Sequence, residues 1–341
     1  MAINISRFYG RERIELDCEI LTPMFLGGAD QNAELRAASF KGLLRYWWRV
    51  AFGYRFHSAP DLYSAEAKLF GSPDDDSGKS KVIVQVVPGD NLTVSKAGFK
   101  KLKGIKHSEV KGGEVNPLNY LAGMGLIKGA VQHSYFLPGG HFRLMITARP
   151  KDIEIVLSLL KAFGTAGGRS RNGWGSLNIS AKNGFFNSSE NVLKTVIKPF
   201  DDAFNCDYPH CLGADTKGLL LWKTQGVTKS WEECLRVLAD IYVKTRLSLN
   251  ISGHGKQDRH LLGYPVTHHS VQGWNRHASA LRLLVRKSET GLYRGYVLHV
   301  PHLFSEKMWG ELDAGKQKSI WRKVHAQLDG IMQRATMEEL L

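Results

Sequence analysis

A basic segment, SFKGLLRYWWRVAF at residues 39–52, carries the residue types that bind polyanions. On a helix, at about 100° per residue, its cations and one tryptophan share one arc, and its aliphatic residues share the opposite arc. The basic arc consists of Lys41, Arg45, Trp48 and Arg49, and Arg36 lies just before the segment. Because no carboxylate of the segment balances these charges, and because bases stack on aromatic rings, this face is predicted to contact RNA or DNA. The alternative is an ordinary amphipathic helix with a solvated basic face.

A glycine-rich segment, GTAGGRSRNGWG at residues 164–175, has a composition typical of phosphate-binding loops. Glycine lets main-chain N–H groups approach an anion closely, and arginine supplies forked donors to phosphate. The residues predicted to contact RNA are Gly167, Gly168, Arg169, Ser170, Arg171 and Asn172. The segment lacks the GK[ST] ending of a Walker loop, and it precedes a predicted strand and not a helix. The sequence therefore indicates neither a binding loop for nucleoside triphosphates nor one for dinucleotides. A flexible loop tip is the alternative.

The charge of the chain agrees with a polyanionic partner. Its 341 residues include 46 Lys plus Arg and 32 Asp plus Glu, a formal net charge of +14. This excess attracts nucleic acid or an anionic membrane surface. No run of 18 apolar residues occurs and residues 1–13 lack the apolar region of a signal peptide, so we expect a cytoplasmic protein without a membrane partner. The four cysteines form no CxxC pair, and no cofactor or metal is predicted.

Thirteen histidines suggest a second hypothesis, in which a general acid or base cleaves RNA beside the 2′-OH. The candidates are His57, His133 and His141, although a lone histidine in a basic protein is more often a surface residue. Two further groups contain zinc-ligand residue types but match no familiar spacing. These groups are His254, His260, His268 and His269, and Cys206, His210 and Cys211.

The segment from Lys96 to Lys111 holds six lysines and one glutamate. It is either a basic arm that grips nucleic acid or a solvated loop, and the sequence favours neither interpretation.

The first half of the chain reads as strand, helix, strand, strand, helix, strand. The predicted strands are Arg13–Leu21, Lys81–Val87, His141–Ala148 and Trp174–Ala181. The predicted helices are Phe40–Phe52 with Ser39 as N-cap, a shorter one starting at Asp61 or Ser64, and one from Pro150 to Phe163. This order is the ferredoxin-like split βαβ arrangement, an α+β fold with an antiparallel sheet. Residues 89–140 are too long for a hairpin and are predicted to be an inserted, partly helical segment.

A second, divergent copy is predicted after a polar linker. Its strands are Gly218–Lys223, Ala278–Arg286 and Tyr293–Val300, and its helices are Ser230–Leu247 and a final one containing Trp321. No closing strand is predicted. The expected division is an N-terminal domain at 1–185, a linker at 186–212 and a C-terminal domain at 213–341.

Several of these segments resemble a known family. Thr22–Gly28 (TPMFLGG), Glu34–Arg36 and Ser39–Arg49 resemble the N-terminal signature of the first-subunit family of the Cmr complex, in the RAMP superfamily of CRISPR effectors. Residues 164–175 are similar to the glycine-rich motif of that superfamily. Residues 276–281 (RHASAL) and 295–297 resemble second-domain segments more loosely, with Ala280 in place of an expected proline.

The resemblance implies two ferredoxin-like, RRM-related domains within a type III-B RNA-guided complex of antiviral defence. It implies that this subunit binds the 3′ part of the guide RNA, helps capture single-stranded target RNA and contacts other subunits, while the ribonuclease is the backbone subunit. The positions that match, and that are expected to touch RNA, are Arg36, Lys41, Arg45, Arg169, Arg171 and Arg276. We therefore expect a non-catalytic RNA-binding subunit. The alternative is a metal-independent RAMP-type endoribonuclease that processes CRISPR RNA.

Overall fold

The computed structural model describes residues 9–30, 32–73, 78–181, 185–186, 189–249, 251, 255–266, 269–304 and 313–341. The α-helices in these ranges are α1 (Ala37–Phe52), α2 (Ala59–Phe70), α3 (Pro117–Ala122), α4 (Pro150–Phe163), α5 (Ser189–Lys194), α6 (Trp231–Leu247) and α7 (Ala314–Ile331). The strands are β1 (Glu12–Ile20), β2 (Ile83–Pro88), β3 (Val94–Ser95), β4 (Ile105–Lys106), β5 (Glu114–Val115), β6 (Ile127–Lys128), β7 (Ala130–Val131), β8 (Tyr135–Phe136), β9 (His141–Ala148), β10 (Leu177–Ala181), β11 (Ile197–Pro199), β12 (Leu212–Asp215), β13 (Gly218–Leu219), β14 (Leu221–Lys223), β15 (Leu281–Lys287), β16 (Tyr293–His299) and β17 (Gln333–Arg334). The fold is mixed α+β.

The first sheet has the order β10-β1-β9-β2, and every pair in it is antiparallel. Alternate residues of β1 are buried, as its alternating sequence predicts, and they face α1 and α4. Thus Leu16 on β1 packs in one core with Trp47 on α1 and Leu160 on α4. The four strands and three helices predicted here are confirmed, with shifted ends.

Three of those ends move for local reasons. Helix α1 begins at Ala37, with Arg36 and not Ser39 at the N-cap, because the two alanines extend the helix. Helix α2 begins at Ala59, because the Ser58 side chain caps it by accepting the N–H of Asp61. Strand β10 begins only at Leu177, since the preceding residues hydrogen-bond as a loop.

The second large sheet has the order β15-β16-β14-β17 and is also antiparallel. The prediction that this half has no closing strand is wrong, because β17 pairs with Trp222 and Lys223 on β14. Two residues are too few to show an alternating pattern. Arg334 fixes this strand: its guanidinium bonds the carboxylates of Asp329 and Asp215, each at 2.7 Å, and lies over the Trp222 ring.

Both faces of the second sheet are buried. The apolar runs of β15 and β16 do not alternate, which is typical of strands covered on two sides. One face joins the core of the first sheet through Leu284, and the other packs against α6 and α7 through Leu283 and Val297. The two sheets therefore share continuous apolar packing.

The segments between the sheets are more structured than the sequence suggests. The predicted polar linker contains α5 and β11, and β11 pairs in parallel with β12. The single strand predicted at Gly218–Lys223 is two strands, because β13 pairs with β12 while β14 joins the second sheet. The insertion contains α3 and six two-residue strands, β3 to β8. None of the helices in the described ranges combines the length and apolar composition that a bilayer-spanning segment requires.

Candidate nucleic-acid interface

The glycine-rich loop and the Thr22–Gly28 segment are hydrogen-bonded into one unit. The Thr22 hydroxyl donates to the carbonyl oxygen of Gly173 at 2.8 Å and accepts the N–H of Ser176 at 2.9 Å. The Gly175 N–H donates to the oxygen of Pro23 at 3.0 Å, and the Gly168 N–H to the oxygen of Phe25 at 2.8 Å. Two segments about 150 residues apart in sequence thus form a single structural feature. Thr22 was not singled out as a functional residue, although it lies in the segment that carries the resemblance.

Two glycines are required by this arrangement. A Cβ on Gly167, at φ +91°, would lie 2.6 Å from the Phe25 oxygen, and one on Gly175, at φ +61°, would lie 1.8 Å from the Ala166 oxygen. Both backbone angles and both distances exclude other residues. The interpretation of a flexible loop tip is therefore wrong, because the loop is held in place on both sides. The N–H of Gly168 is also used internally.

Arg169 is the side chain that the loop presents. Among the described residues it is the only non-glycine with a positive φ, +55°, an uncommon angle for a residue with a side chain. Burial lowers the pKa of its guanidinium, and the nearby positive charge of Arg276 lowers that pKa further. Arg276 is exposed on the segment before β15. No ion pair joins either arginine to a carboxylate in the described part of the chain. We call these two residues the arginine pair.

Arg171 and Asn172 hold the loop against the second half. The Arg171 guanidinium donates to the Ser279 oxygen and lies 5.5 Å from the centre of the Tyr46 ring on α1. The Asn172 amide donates to the Leu121 oxygen of α3 at 2.8 Å. Ser170 lies between Arg169 and Arg171 and is half-buried. These contacts position the arginine pair and leave less of Arg171 and Asn172 available to a ligand than the sequence predicts.

A second guanidinium, this one buried, contacts the same ring. Arg282 on β15 lies 4.8 Å from the centre of Tyr46, and its Nη2 donates to the Thr165 hydroxyl at 3.0 Å. Burial is the main cause that lowers its pKa. Tyr46 thus joins α1, the glycine-rich loop and the second sheet. No local pattern predicts this role, because Tyr46 falls in neither arc of the helix.

The basic face of α1 is balanced by a carboxylate, contrary to the prediction. Glu66 on α2 has a side chain only 1% exposed and binds both Arg45 and Arg49. Its Oε1 accepts from Arg45 Nη1 at 2.7 Å and from Arg49 Nη2 at 3.1 Å. Arg45 also donates to the carbonyl oxygens of Phe70 and Gly71. Both arginines therefore bind helix α1 to helix α2, a contact that inspection of α1 alone could not reveal.

Trp48 does not belong to an exposed face, and that prediction is wrong. Its side chain is 7% exposed and packs against Phe52, Phe56 and Phe70, with ring centres 5.6, 6.1 and 6.4 Å away. Helix α2 covers the side of α1 that would otherwise be open. Trp48 is thus a core residue, and bases cannot stack on it.

Arg36 and Lys41 are the cations of α1 that stay available. Arg36 is exposed at the start of the helix, and its Nε lies 3.8 Å from Glu34. Lys41 is half-buried, and burial lowers its pKa, with a smaller contribution from the charge of Arg45. The first turn of α1 carries no acidic residue, so the positive end of the helix dipole is also unbalanced.

The open face of the first sheet is chemically different. Its outward positions on β1 hold Glu15, Asp17 and Glu19, and Asp17 accepts from Arg143 on β9 at 3.2 Å. No Phe, Tyr or Trp occupies an outward position on β1, β2, β9 or β10. RRM proteins bind RNA through aromatic residues on this face of the sheet. The acidic residues and the lack of aromatic residues on this face favour the glycine-rich loop and the start of α1, over the sheet, as the candidate surface for nucleic acid.

The histidines proposed as catalysts are not brought together. His57 and His141 are exposed, and His141 is hydrogen-bonded to Asn91 at 2.9 Å. His133 bonds the oxygen of Gly125 at 3.0 Å. Within the described ranges, no hydrogen bond or ring contact joins any two of these three. They form no shared acid and base arrangement.

The zinc candidates also lack a common site. No group of three or more His, Cys, Asp or Glu residues in the described part of the chain is arranged to hold a metal ion. His254 and His268 lie outside the described residues. His210 is bonded to the oxygen of Tyr208, and burial raises the pKa of the Cys211 thiol to about 12. Both His210 and Cys211 are therefore buried residues of the packed protein.

Comparison with known proteins identifies relatives. Residues 17–178 match the family model of the RAMP superfamily. The CRISPR system Cmr subunit Cmr1-2 of Pyrococcus furiosus is 41% identical over 71 residues, which are 20% of this chain and 36% of the relative. Subunit Cmr1-1 of the same organism is 29% identical over 152 residues, 43% of this chain and 40% of the relative. The matched segments therefore span well under half of the length of these two relatives.

Two solved structures are similar over most of the chain. The crystal structure of Cmr1 from Pyrococcus furiosus in its apo form has 16% identity and a TM-score of 0.49, covering 93% of this chain and 97% of that one. A chain of the cryo-EM structure of the type III-B Cmr-beta bound to cognate target RNA has 13% identity and a TM-score of 0.49, covering 93% and 100%. The family match and the two curated relatives confirm the resemblance predicted from the sequence.

Proposed function

The chain carries a RAMP-superfamily segment at residues 17–178 and is similar to the first subunits of Cmr complexes, and from this we propose that it is a non-catalytic RNA-binding subunit of a type III-B CRISPR effector complex. In this role it binds the 3′ part of the guide RNA and helps to capture single-stranded target RNA for antiviral defence. Its other partners are the neighbouring subunits of the complex, and it acts in the cytoplasm.

The arginine pair is the observation that carries this proposal. Arg169 and Arg276 come from separate halves of the chain, the positive charge of Arg276 helps to lower the pKa of Arg169, and neither has a carboxylate partner in the described ranges. Two like charges held together are unfavourable unless an anion joins them. Guanidinium groups bind phosphate through paired hydrogen bonds, and such contacts do not depend on base sequence. A guide-RNA holder needs this kind of sequence-tolerant affinity.

The predicted contact residues divide into two roles under this proposal. Arg36, Lys41, Arg169, Ser170 and Arg276 contact the sugar-phosphate backbone. The others position them: Gly167 and Gly168 shape the loop, Arg171 and Asn172 fix it, and Arg45, Trp48 and Arg49 hold α1 against α2.

The strand orders support two ferredoxin-like domains. In each large sheet the chain runs strand, helix, strand, strand, helix, strand, and the fourth strand lies beside the first, which lies beside the third and then the second. We propose an N-terminal domain at 1–185 with an insertion at about 89–140, a linker at 186–212 and a C-terminal domain at 213–341. The apolar packing shared by the two sheets supports the view that both domains hold the arginine pair.

Reconstitution tests the proposed role. The purified full chain, mixed with guide RNA and the other effector subunits, is expected to co-elute with them on gel filtration. Labelled RNA incubated with the chain alone, with and without EDTA, is expected to stay intact. Failure to co-elute would contradict the proposal. Specific cleavage that His57→Ala or His141→Ala abolishes would favour the endoribonuclease instead.

A further inference from the structure

The lysine-rich part of the insertion is folded and not a free arm. Strand β4 pairs with β5 in a hairpin, and the His107 N–H donates to the Gly113 oxygen at 2.8 Å. Phe99 packs among aromatic rings, with centres 5.2 Å from Trp174 and 5.1 Å from Tyr135. The segment therefore has a fixed position on the body of the protein.

This folding separates lysines from apolar side chains. The apolar Phe99, Leu102 and Ile105 point into the protein. The lysines between and around them are all exposed, and we call them the lysine ridge: Lys96, Lys100, Lys101, Lys103, Lys106 and Lys111. This separation of inward apolar side chains from outward lysines is more regular than a freely solvated loop requires.

The charges of the ridge are largely unbalanced. Glu109, the single acidic residue of the segment, is held by Arg259 through two bonds of 2.6 and 2.8 Å, and this contact lowers its pKa. Lys106 lies opposite Glu114 across the hairpin. Lys100, Lys101 and Lys103 make no ion pair with a carboxylate in the described part of the chain. Three like charges within four residues of sequence repel each other, and an external anion relieves that repulsion.

The ridge is anchored to the glycine-rich loop. Phe99 contacts Phe25 of the Thr22–Gly28 segment and Trp174 of the glycine-rich loop. The Arg169 guanidinium lies against Gly123 of the same insertion, and Asn172 bonds the Leu121 oxygen. An RNA strand bound at the arginine pair would therefore lie next to the surface of the inserted segment.

We propose that the lysine ridge is a second binding surface for the backbone of single-stranded RNA, one that extends the contact beyond the arginine pair. Lysine acts as a point charge, and no aromatic ring is exposed on the ridge, so its contacts go to phosphates and are independent of sequence. The ridge lengthens the bound stretch and strengthens the salt dependence. This inference rests on the proposed RNA-binding function, since the same strand is assigned to both surfaces.

Binding of RNA of two lengths tests the ridge. The full-length variant Lys100→Gln/Lys101→Gln/Lys103→Gln is compared with the wild type on oligouridine of about 6 and about 20 nucleotides. For the longer RNA we expect affinity to fall about tenfold, and the slope of log K against log salt to shrink by about 2, at about 0.7 per lost phosphate contact. For the shorter RNA, bound at the arginine pair, we expect less than about a twofold change.

The matched control is Lys151→Gln/Lys316→Gln/Lys323→Gln, which removes the same charge from exposed lysines elsewhere. This control is expected to bind both RNAs like the wild type. The proposed role of the lysine ridge is wrong if the ridge variant binds the longer RNA as tightly as the wild type does. It is also wrong if the control variant weakens binding of the longer RNA as much as the ridge variant does. Failure of the wild type to bind either RNA would instead contradict the proposed function, so the two failures are distinguishable.

Discussion

Replacement of Arg169 and Arg276 together by alanine is expected to weaken the binding of single-stranded RNA by about 100-fold or more at moderate salt. A hydrogen bond to a charged group contributes about 1.5–3 kcal/mol, and this variant removes two charged donors from the phosphate site. The free energy of unfolding should not fall, because neither guanidinium has a carboxylate partner in the described ranges and the charge of Arg276 already lowers the pKa of Arg169. Fluorescence anisotropy with labelled RNA gives the affinity, and urea unfolding gives the stability.

The control for this double variant also removes two positive charges, but from arginines outside the proposed site. Arg149→Ala/Arg322→Ala replaces exposed arginines at the start of α4 and on α7. If this control weakens RNA binding as much as the arginine-pair variant does, net charge explains the affinity and the assigned site is wrong. Normal binding by the Arg169→Ala/Arg276→Ala protein would also contradict the assignment.

Removal of the Glu66 carboxylate has the largest expected effect on stability. Glu66→Ala should lower the free energy of unfolding by about 2–4 kcal/mol, because it leaves Arg45 and Arg49 without their shared partner in a site that solvent reaches only in part. Glu66→Gln keeps the size of the side chain and should cost less. Urea unfolding of each variant measures the difference.

An exposed carboxylate provides the comparison. Glu190 pairs with Lys194 on α5 at the surface, and Glu190→Ala should cost about 0–1 kcal/mol. An equal loss in Glu66→Ala and Glu190→Ala would show that burial of Glu66 adds nothing. The ion pair between Arg45 and Glu66 also affects the choice of variants, because Arg45→Ala would disturb the packing of α1 on α2. Lys41→Ala is therefore the cleaner probe of RNA contact on that helix.

Elements with a strong local pattern were predictable from the sequence. Strand β1 alternates over nine residues with one buried face, and α4 has regularly spaced apolar residues, so both were found within a few residues of their ends. Strand β17 has only two residues and is defined by its pairing with β14, which no local pattern reveals. All four strands of the first sheet were therefore predicted. For the second sheet, the prediction omitted the last strand, β17.

The site was predicted in its composition better than in its contacts. The sequence located an arginine-bearing glycine-rich loop, because glycines and arginines of that spacing have a local signature. The hydrogen bonds that join this loop to the Thr22–Gly28 segment were not predicted. It wrongly placed Trp48 on an exposed face and Arg45 and Arg49 without a counter-ion. Those outcomes depend on Glu66 and Phe70 of α2, and one helix seen alone contains no information on what covers it.

Photo-cross-linking is the most direct test of where RNA binds. Single-stranded RNA containing 4-thiouridine is cross-linked to the full-length protein, and the modified peptides are identified by mass spectrometry. Cross-links are expected in residues 164–175, in the segment around Arg276 and at the start of α1, and, for longer RNA, in residues 96–111. Cross-links confined to the open face of the first sheet, around Asp17 and Arg143, would contradict the assignment of RNA to the arginine pair.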